Sequence, residues 1–281
     1  MPLLLLVSFL WAFSFGLVKR LGLDGTFVSA ARLGLALLVF LPFFRVRGLT
    51  LRTALGLAGV GAVQFGLMYL AYNESFRFLK SYEIALFTLT TPILVTLVAD
   101  AFDRTLRARA LLAAFLAVLG GACIVVKTTA VTGRITGIVL VQLSNLAFAL
   151  GQVLYRRLRA SHPTLNERNV FGLLYAGGFA IALGAMLVRV KSVTLDGPQC
   201  LILLYLGIVA SGIGFFLWNR GATQVSAGTL AAMNNLKIPL AVAVSLLVFG
   251  ESADLPRLLA GGALMAVAVW VAESKARTGP V

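Results

Sequence analysis

Residues 226–249, SAGTLAAMNNLKIPLAVAVSLLVF, decide the fold, because they are apolar over the width of a bilayer and carry Lys237 at their centre. A helix rises about 1.5 Å per residue, so Lys237 lies about 17 Å from either end of the segment. A lysine side chain reaches only about 6 Å, which excludes snorkelling to the membrane surface. A cation at this depth is costly unless it faces a wet cavity or a partner, so Lys237 marks a polar site inside the membrane.

The composition of the whole chain agrees with this segment. Of its 281 residues 60% are hydrophobic and 12% are charged, and the mean hydropathy is +0.97. Such a chain has too little polar surface to cover a soluble core, so it is a membrane protein. The net charge of +14 comes mainly from Lys and Arg in short connections, which indicates membrane topology and not nucleic-acid binding.

Charge clusters, Gly and Pro divide the chain into ten apolar segments, and a membrane-spanning helix needs roughly 17 to 25 such residues. Backbone in lipid must satisfy its own hydrogen bonds and the segments lack barrel-like alternation, so we predict an all-α polytopic membrane protein with ten transmembrane helices. The predicted spans are 3–18, 25–44, 53–76, 82–99, 108–126, 134–155, 169–188, 199–218, 226–249 and 255–272.

The first five spans resemble the last five in the order and spacing of several residues. The matching pairs are Trp11 and Lys19 with Phe148 and Arg156, Ala85 and Pro92 with Ala232 and Pro239, Tyr72-Asn73 with Trp218-Asn219, and Asp103 with Glu251. Because five is odd, the second copy must enter the membrane upside down, as in transporters built from inverted repeats. We therefore predict repeats at 1–127 and 134–272, followed by a short cytoplasmic tail at 273–281.

The distribution of basic residues predicts the orientation. One side of the predicted topology holds 13 Lys and Arg residues and the other holds 9. The positive-inside rule then places both termini in the cytoplasm and the connection from Lys127 to Arg134 outside. The segment from Leu3 to Val18 has no basic region before it and no small-residue cleavage site, so we interpret it as a retained helix and not a signal peptide.

Several of these features together resemble a known family, the EamA-type members of the drug/metabolite transporter superfamily. They are Trp11-Ala12-Phe13-Ser14 ending in Lys19, Arg32, Pro92, and Gly250-Glu251 after Pro239. The resemblance covers essentially the whole chain. It implies a ten-helix transporter of the bacterial inner membrane, a central cavity between two repeats, and small organic metabolites as cargo.

Lys237 and its neighbours are the first candidate substrate-binding residues. Pro239 lacks a backbone donor, which frees the carbonyl of Asn235 and bends the helix. Helical spacing puts Asn234, Lys237 and Ser245 on one face. The alternatives are a buried hydrogen bond between Lys237 and a neighbouring helix, or a shifted span.

Other spans supply polar residues that fit a shared cavity. Thr88 and Thr91 lie beside Pro92, a second predicted helix kink. The remaining candidates are Trp11, Ser14, Gln64, Tyr72, Gln142 and Asn145. Each could instead join two helices by a hydrogen bond. For Arg32 we expect a structural role, with Asp24 or a lipid phosphate as partner.

The acidic residues constrain the function. All ten map to span ends or loops, so a carboxylate on the cargo is the natural counter-ion of a charged Lys237. We predict a transporter for an amino-acid-like or other carboxylate-bearing metabolite, acting as a facilitator or exchanger. A drug exporter and a non-transporting sensor or scaffold are the alternatives. The lone His162 and the dispersed carboxylates argue against an enzyme or a metal site. No cofactor is expected. The sequence does not indicate the oligomeric state.

Overall fold

The computed structural model describes residues 1–45, 48–79, 81–125, 135–240 and 255–273. These residues form helices, turns and short connections, and no strand occurs among them. The α-helices are α1 Pro2–Ala12, α2 Ser14–Leu21, α3 Gly25–Phe40, α4 Leu51–Gly61, α5 Met68–Ser75, α6 Ser81–Thr88, α7 Thr91–Asp103, α8 Ala108–Val125, α9 Ile135–Ser161, α10 Glu167–Arg189, α11 Gly197–Leu204, α12 Gly214–Ala222, α13 Ala227–Met233 and α14 Leu255–Glu273.

Helical segments of two other kinds join some of these elements. A 3₁₀ turn at Leu41–Phe43 follows α3, and π-helical turns at Ala62–Leu67 and Tyr205–Ile213 join α4 to α5 and α11 to α12. Each π-helical turn lies within one continuous span, and such turns are frequent at functional sites.

The described helices are long and apolar enough for a multi-pass membrane protein. Six continuous helical segments, some of them made of two or three of these elements, could each cross a bilayer, and three shorter apolar helices accompany them. The chain is therefore an all-α polytopic membrane protein. The predicted ninth span continues past residue 240, so Ser245 and the Gly250-Glu251 pair lie outside the described residues, and the count of ten stays a prediction.

The fourth and ninth predicted spans are each interrupted near the middle. Between α6 and α7, Pro92 leaves the carbonyl of Thr88 without its usual donor, and the Thr91 hydroxyl donates to that carbonyl at 2.6 Å. In the ninth span α13 ends at Met233, and helix resumes at residues 237–240. There the carbonyl of Asn235 accepts a hydrogen bond from the backbone N–H of Ile238 at 3.0 Å. At both interruptions, backbone carbonyls inside the bundle accept hydrogen bonds outside the regular α-helical pattern.

Packing joins helices from the two predicted halves of the chain. Helix α10 packs against α3 and α4, α9 against α5 and α7, and α1 against α12. At a second side of the bundle α8 packs against α14, and α13 packs against α7, α8 and α14. The space enclosed between these two sets of helices holds the candidate site.

Candidate functional site

A cavity lies between the helices from the two halves, with an empty volume of about 600 Å³ that includes the part open to solvent. The lining combines aromatic, hydroxyl, amide and cationic side chains: Trp11, Ser14, Arg32, Met68, Tyr69, Tyr72, Thr88, Thr91, Ser144, Asn145, Phe148, Phe215 and Lys237. No Asp or Glu is among these lining residues, so the ionisable groups with a charge at neutral pH are two cations.

Arg32 of α3 is one of the two cations, and it is only 3% exposed. Its Nε donates to Ser211 Oγ at 3.1 Å and its Nη2 donates to the hydroxyl of Tyr69. The guanidinium carbon lies 4.1 Å from the centre of the Tyr69 ring. The guanidinium is therefore held in one orientation by neutral groups from two other helical segments.

Lys237 is the other cation, and it follows the interruption of the ninth span. Its Nζ lies 5.9 Å from the centre of the Trp11 ring, within the range of a cation–π interaction. Trp11 is fixed in turn by a 2.8 Å hydrogen bond from its Nε1 to the carbonyl of Ala210. The indole therefore forms a rigid wall beside the ammonium group.

Around Trp11 the lining is aromatic. The Trp11 ring lies 5.1 Å from that of Phe215, 6.0 Å from that of Phe148 and 4.8 Å from that of Trp218, centre to centre. Aromatic side chains offer a large apolar contact area with few rotatable bonds. This part of the cavity suits a flat or cyclic apolar group.

The interruption of the fourth span contributes the amide and hydroxyl groups. Asn145 Nδ2 donates to the carbonyl of Phe87 at 2.9 Å and to Thr90 Oγ1 at 3.2 Å. Gln142 supports the same segment, because its Nε2 also donates to Phe87 O, at 3.1 Å, and its Oε1 accepts from Thr90. Ser14 Oγ, buried beside the break between α1 and α2, makes no hydrogen bond within the described residues.

Seven of the predicted site residues line the cavity: Trp11, Ser14, Tyr72, Thr88, Thr91, Asn145 and Lys237. The others, Gln64, Gln142, Asn234 and Asn235, lie behind its wall. Gln64 and Asn219 are fully buried and exchange two side-chain hydrogen bonds, of 2.7 and 3.1 Å. Asn234 donates to the carbonyl of Leu230 at 2.8 Å and contacts Gln152 at 3.4 Å. Their polar atoms join helices.

Asn235 has a more specific position than the other three. Its Nδ2 donates to the carbonyl of Leu89 at 2.9 Å and to that of Ala117 at 3.3 Å. Leu89 lies in the interruption between α6 and α7, so Asn235 connects the broken part of the ninth span to the broken part of the fourth.

The structure corrects the expected partner of Arg32. Arg32 contacts Tyr69 and Ser211, whereas Asp24 accepts from Thr26 and Phe27 at the start of α3. Burial raises the pKa of Asp24, but these hydrogen bonds outweigh it and keep that pKa below its usual value. Glu83, in the first turn of α6, is 1% exposed, so it is not a solvated loop charge.

Trp218 lies deep in the protein and not at its surface. It is 1% exposed, and its Nε1 donates to Gln152 Oε1 at 3.0 Å. Trp218 therefore belongs to the interior of the bundle, directly behind Trp11.

Ion pairs connect helices at the end of the bundle where α7, α9 and α10 meet short connections. Arg157 pairs with Asp103 at 2.6 Å and Arg159 with Glu167 at 3.2 Å. Arg107 pairs with Asp100 at 3.3 Å. These contacts join the helices at this end of the bundle. Within the described residues, no three His, Cys, Asp or Glu side chains are placed to bind a metal ion.

The fold and cavity define a helical membrane protein with a site for a small organic molecule at its centre. The sequence profile of the EamA-like transporter family matches residues 1–126 and again residues 135–272. The chain therefore belongs to the EamA-like transporter family.

Several curated relatives match over nearly the full length. The probable biotin transporter of Pseudomonas aeruginosa is 42% identical over 96% of both chains. The biotin transporters of Salmonella typhimurium and Escherichia coli K12 are each 40% identical, over 96% of this chain and 92% of theirs. A solved crystal structure, 18% identical, superposes with a TM-score of 0.78 over 98% of both chains, which shows the shared fold. This chain is accordingly a membrane transporter and not an enzyme.

Sequence reasoning did not place Arg32 at the site and did not single out Tyr69, Ser144 or Phe215. For Arg32 the signal was present, since a cation inside an apolar span is costly wherever it occurs. Its position nearer one end of its span favoured a lipid phosphate as partner. Only the approach of Tyr69 and Ser211 from other helical segments shows that the guanidinium turns inward.

Proposed function

We propose that this protein carries biotin across the bacterial inner membrane, with both termini in the cytoplasm. The observation that supports the proposal is a central cavity lined by Arg32 and Lys237 and by no carboxylate among the described lining residues. Such a lining favours an organic anion, because a carboxylate neutralises a desolvated cation. Biotin bears one carboxylate, and the named relatives are biotin transporters.

The other groups in the cavity match the rest of the biotin molecule. Biotin has two fused rings: an apolar sulfur-containing ring, and a cyclic ureido group that both donates and accepts hydrogen bonds. The aromatic wall of Trp11, Phe148 and Phe215 suits the ring, and Asn145 and Thr91 offer hydrogen-bonding groups for the ureido end. An amino acid also carries an α-ammonium group, for which the described lining residues include no carboxylate. We therefore propose a cyclic metabolite that bears a carboxylate and no cationic group as the cargo.

Transport by this site follows from the predicted inverted repeats. In such carriers one repeat rocks against the other around a fixed midplane site, so that the site opens to each side in turn. Here the fourth and ninth spans, interrupted beside Thr88 and Lys237, would provide the flexible elements. The ion pairs Arg157–Asp103 and Arg159–Glu167 would separate when their end opens. The described lining residues include no carboxylate, which supports a facilitator or exchanger.

The proposal is tested by uptake of labelled biotin into vesicles that contain the purified protein. We expect saturable uptake that unlabelled biotin competes away, and no comparable uptake in protein-free vesicles. Amino acids and a lipophilic cation serve as comparison cargoes. Uptake of these without uptake of biotin would refute the proposed cargo.

A further inference from the structure

We propose that Arg32, and not Lys237, binds the carboxylate of the cargo, while Lys237 serves the opposite, ring-binding end of the cavity. This inference deepens the proposed function and rests on it. Lys237 lies deeper in its predicted span than Arg32, and by depth alone it would be the more important cation for binding. The inference reverses that order.

The first argument is the unbalanced charge of Arg32. The side chain is 3% exposed, and its two hydrogen bonds go to the neutral hydroxyls of Ser211 and Tyr69. The ion pairs found among the described residues do not include Arg32. A buried cation without an anion is strongly destabilising, so a site that keeps one is suited to an anion that arrives with the ligand.

The second argument is the geometry of the guanidinium. Arginine has five N–H donors in a fixed fork, and two of them are used on Ser211 and Tyr69. Three N–H donors of Arg32 remain, and the side chain that carries them lines the cavity. Paired, charge-assisted N–H···O bonds to a carboxylate are among the strongest hydrogen bonds in proteins. Because Tyr69 and Ser211 fix the orientation beforehand, little side-chain entropy is lost on binding.

The third argument is the separation of the two cations within the bundle. Arg32 lies on α3, which packs against α10, α5 and the π-helical turn 205–213. Lys237 follows α13, which packs against α7, α8 and α14. The two cations are therefore carried by helical segments with different packing partners. On the Lys237 side lie Thr88 and Thr91 of the fourth span, groups suited to hydrogen bonds with a neutral ureido group.

The inference is tested by comparing binding of biotin with that of biotinamide, in which a neutral amide replaces the carboxylate. Ligand-induced thermal stabilisation of the purified protein gives the two affinities. We expect the parent to prefer biotin by about tenfold or more, the size of a charge-assisted interaction. The Arg32→Gln variant should bind biotin and biotinamide with about equal affinity.

Lys237→Gln is the matched control, since it also removes one cavity cation. We expect it to weaken both ligands by a similar factor and to keep the preference of the parent. Loss of the preference in Lys237→Gln, with its retention in Arg32→Gln, would overturn the inference. If Arg32→Gln does not fold, Tyr69→Phe replaces it, and an unchanged preference in that variant counts against the orienting contact and the inference.

A second ligand pair separates this inference from the proposed cargo. If the parent binds neither biotin nor biotinamide, the proposed function fails, and pentanoate and pentanamide are compared instead. These two molecules retain the acid–amide difference and lack the rings. If the parent prefers pentanoate and Arg32→Gln loses that preference, Arg32 is supported as the residue that binds the carboxylate. Equal binding of pentanoate and pentanamide by the parent overturns the inference.

Discussion

Replacing Gly177 of α10 tests how closely helices from the two predicted halves of the chain pack together. A Cβ added at Gly177 would lie 1.9 Å from the backbone oxygen of Ala58, and ordinary contact begins at 3.4 Å. Since backbone cannot rotate away, α10 and α4 must separate by about 1.5 Å. Overpacking typically costs about 1–3 kcal/mol, and a clash with backbone belongs to the upper part of that range, about 2–3 kcal/mol. Alanine recovers about 1 kcal/mol of helix propensity. We expect Gly177→Ala to be destabilised by about 1–2 kcal/mol.

Gly184 is the matched control, because it lies on the same helix and an added Cβ meets nothing within 4 Å. Gly184→Ala should therefore unfold at the temperature of the parent or slightly above it. The assay is thermal unfolding of the purified variants in one detergent, where Gly177→Ala should unfold several degrees lower than Gly184→Ala. Equal unfolding temperatures for the two variants would refute the close packing of α4 and α10.

Three further predictions concern transport and topology. Lys237→Ala should keep the expression and thermal stability of the parent and lose uptake of the cargo. An aggregated variant would favour a structural role for Lys237. A fully active variant would show that Lys237 is not part of the binding site. Vesicles should equilibrate the cargo without an imposed pH or sodium gradient, whereas accumulation driven by either gradient would contradict a facilitator and direct attention to the buried Glu83. In intact cells an impermeant thiol reagent should label Thr132→Cys and not Gly279→Cys; the opposite pattern would reverse the assigned orientation.

The all-helical membrane fold could be predicted from the sequence because it depends on the length and hydropathy of segments. These are local properties, and the bilayer makes them decisive. The interruptions beside Pro92 and Pro239 were likewise indicated, since a missing backbone donor acts within its own helix. The partner of each freed carbonyl was not indicated. The choice of the Thr91 hydroxyl for Thr88 O depends on side-chain rotamers.

The candidate site could be predicted only in part, because helical spacing gives the face of a residue and not the neighbour it meets. Gln64 and Asn145 looked alike, as amides on polar faces of two spans. Gln64 is fully paired with Asn219 in the interior, whereas Asn145 lines the cavity. Arg32 was given the wrong partner for the same reason, since Tyr69 and Ser211 lie 37 and 179 residues away in sequence.

The three tryptophans give the protein a built-in optical reporter. Trp11 lines the cavity with its ring centre 4.8 Å from that of Trp218, whereas Trp270 is 68% exposed on the outer surface of α14. Replacing Trp270 with Phe would remove emission from the outer surface and leave the two interior indoles. A cargo that enters beside Trp11 and draws the Lys237 ammonium from its ring would then change the fluorescence directly, so occupancy could be followed in real time without a label.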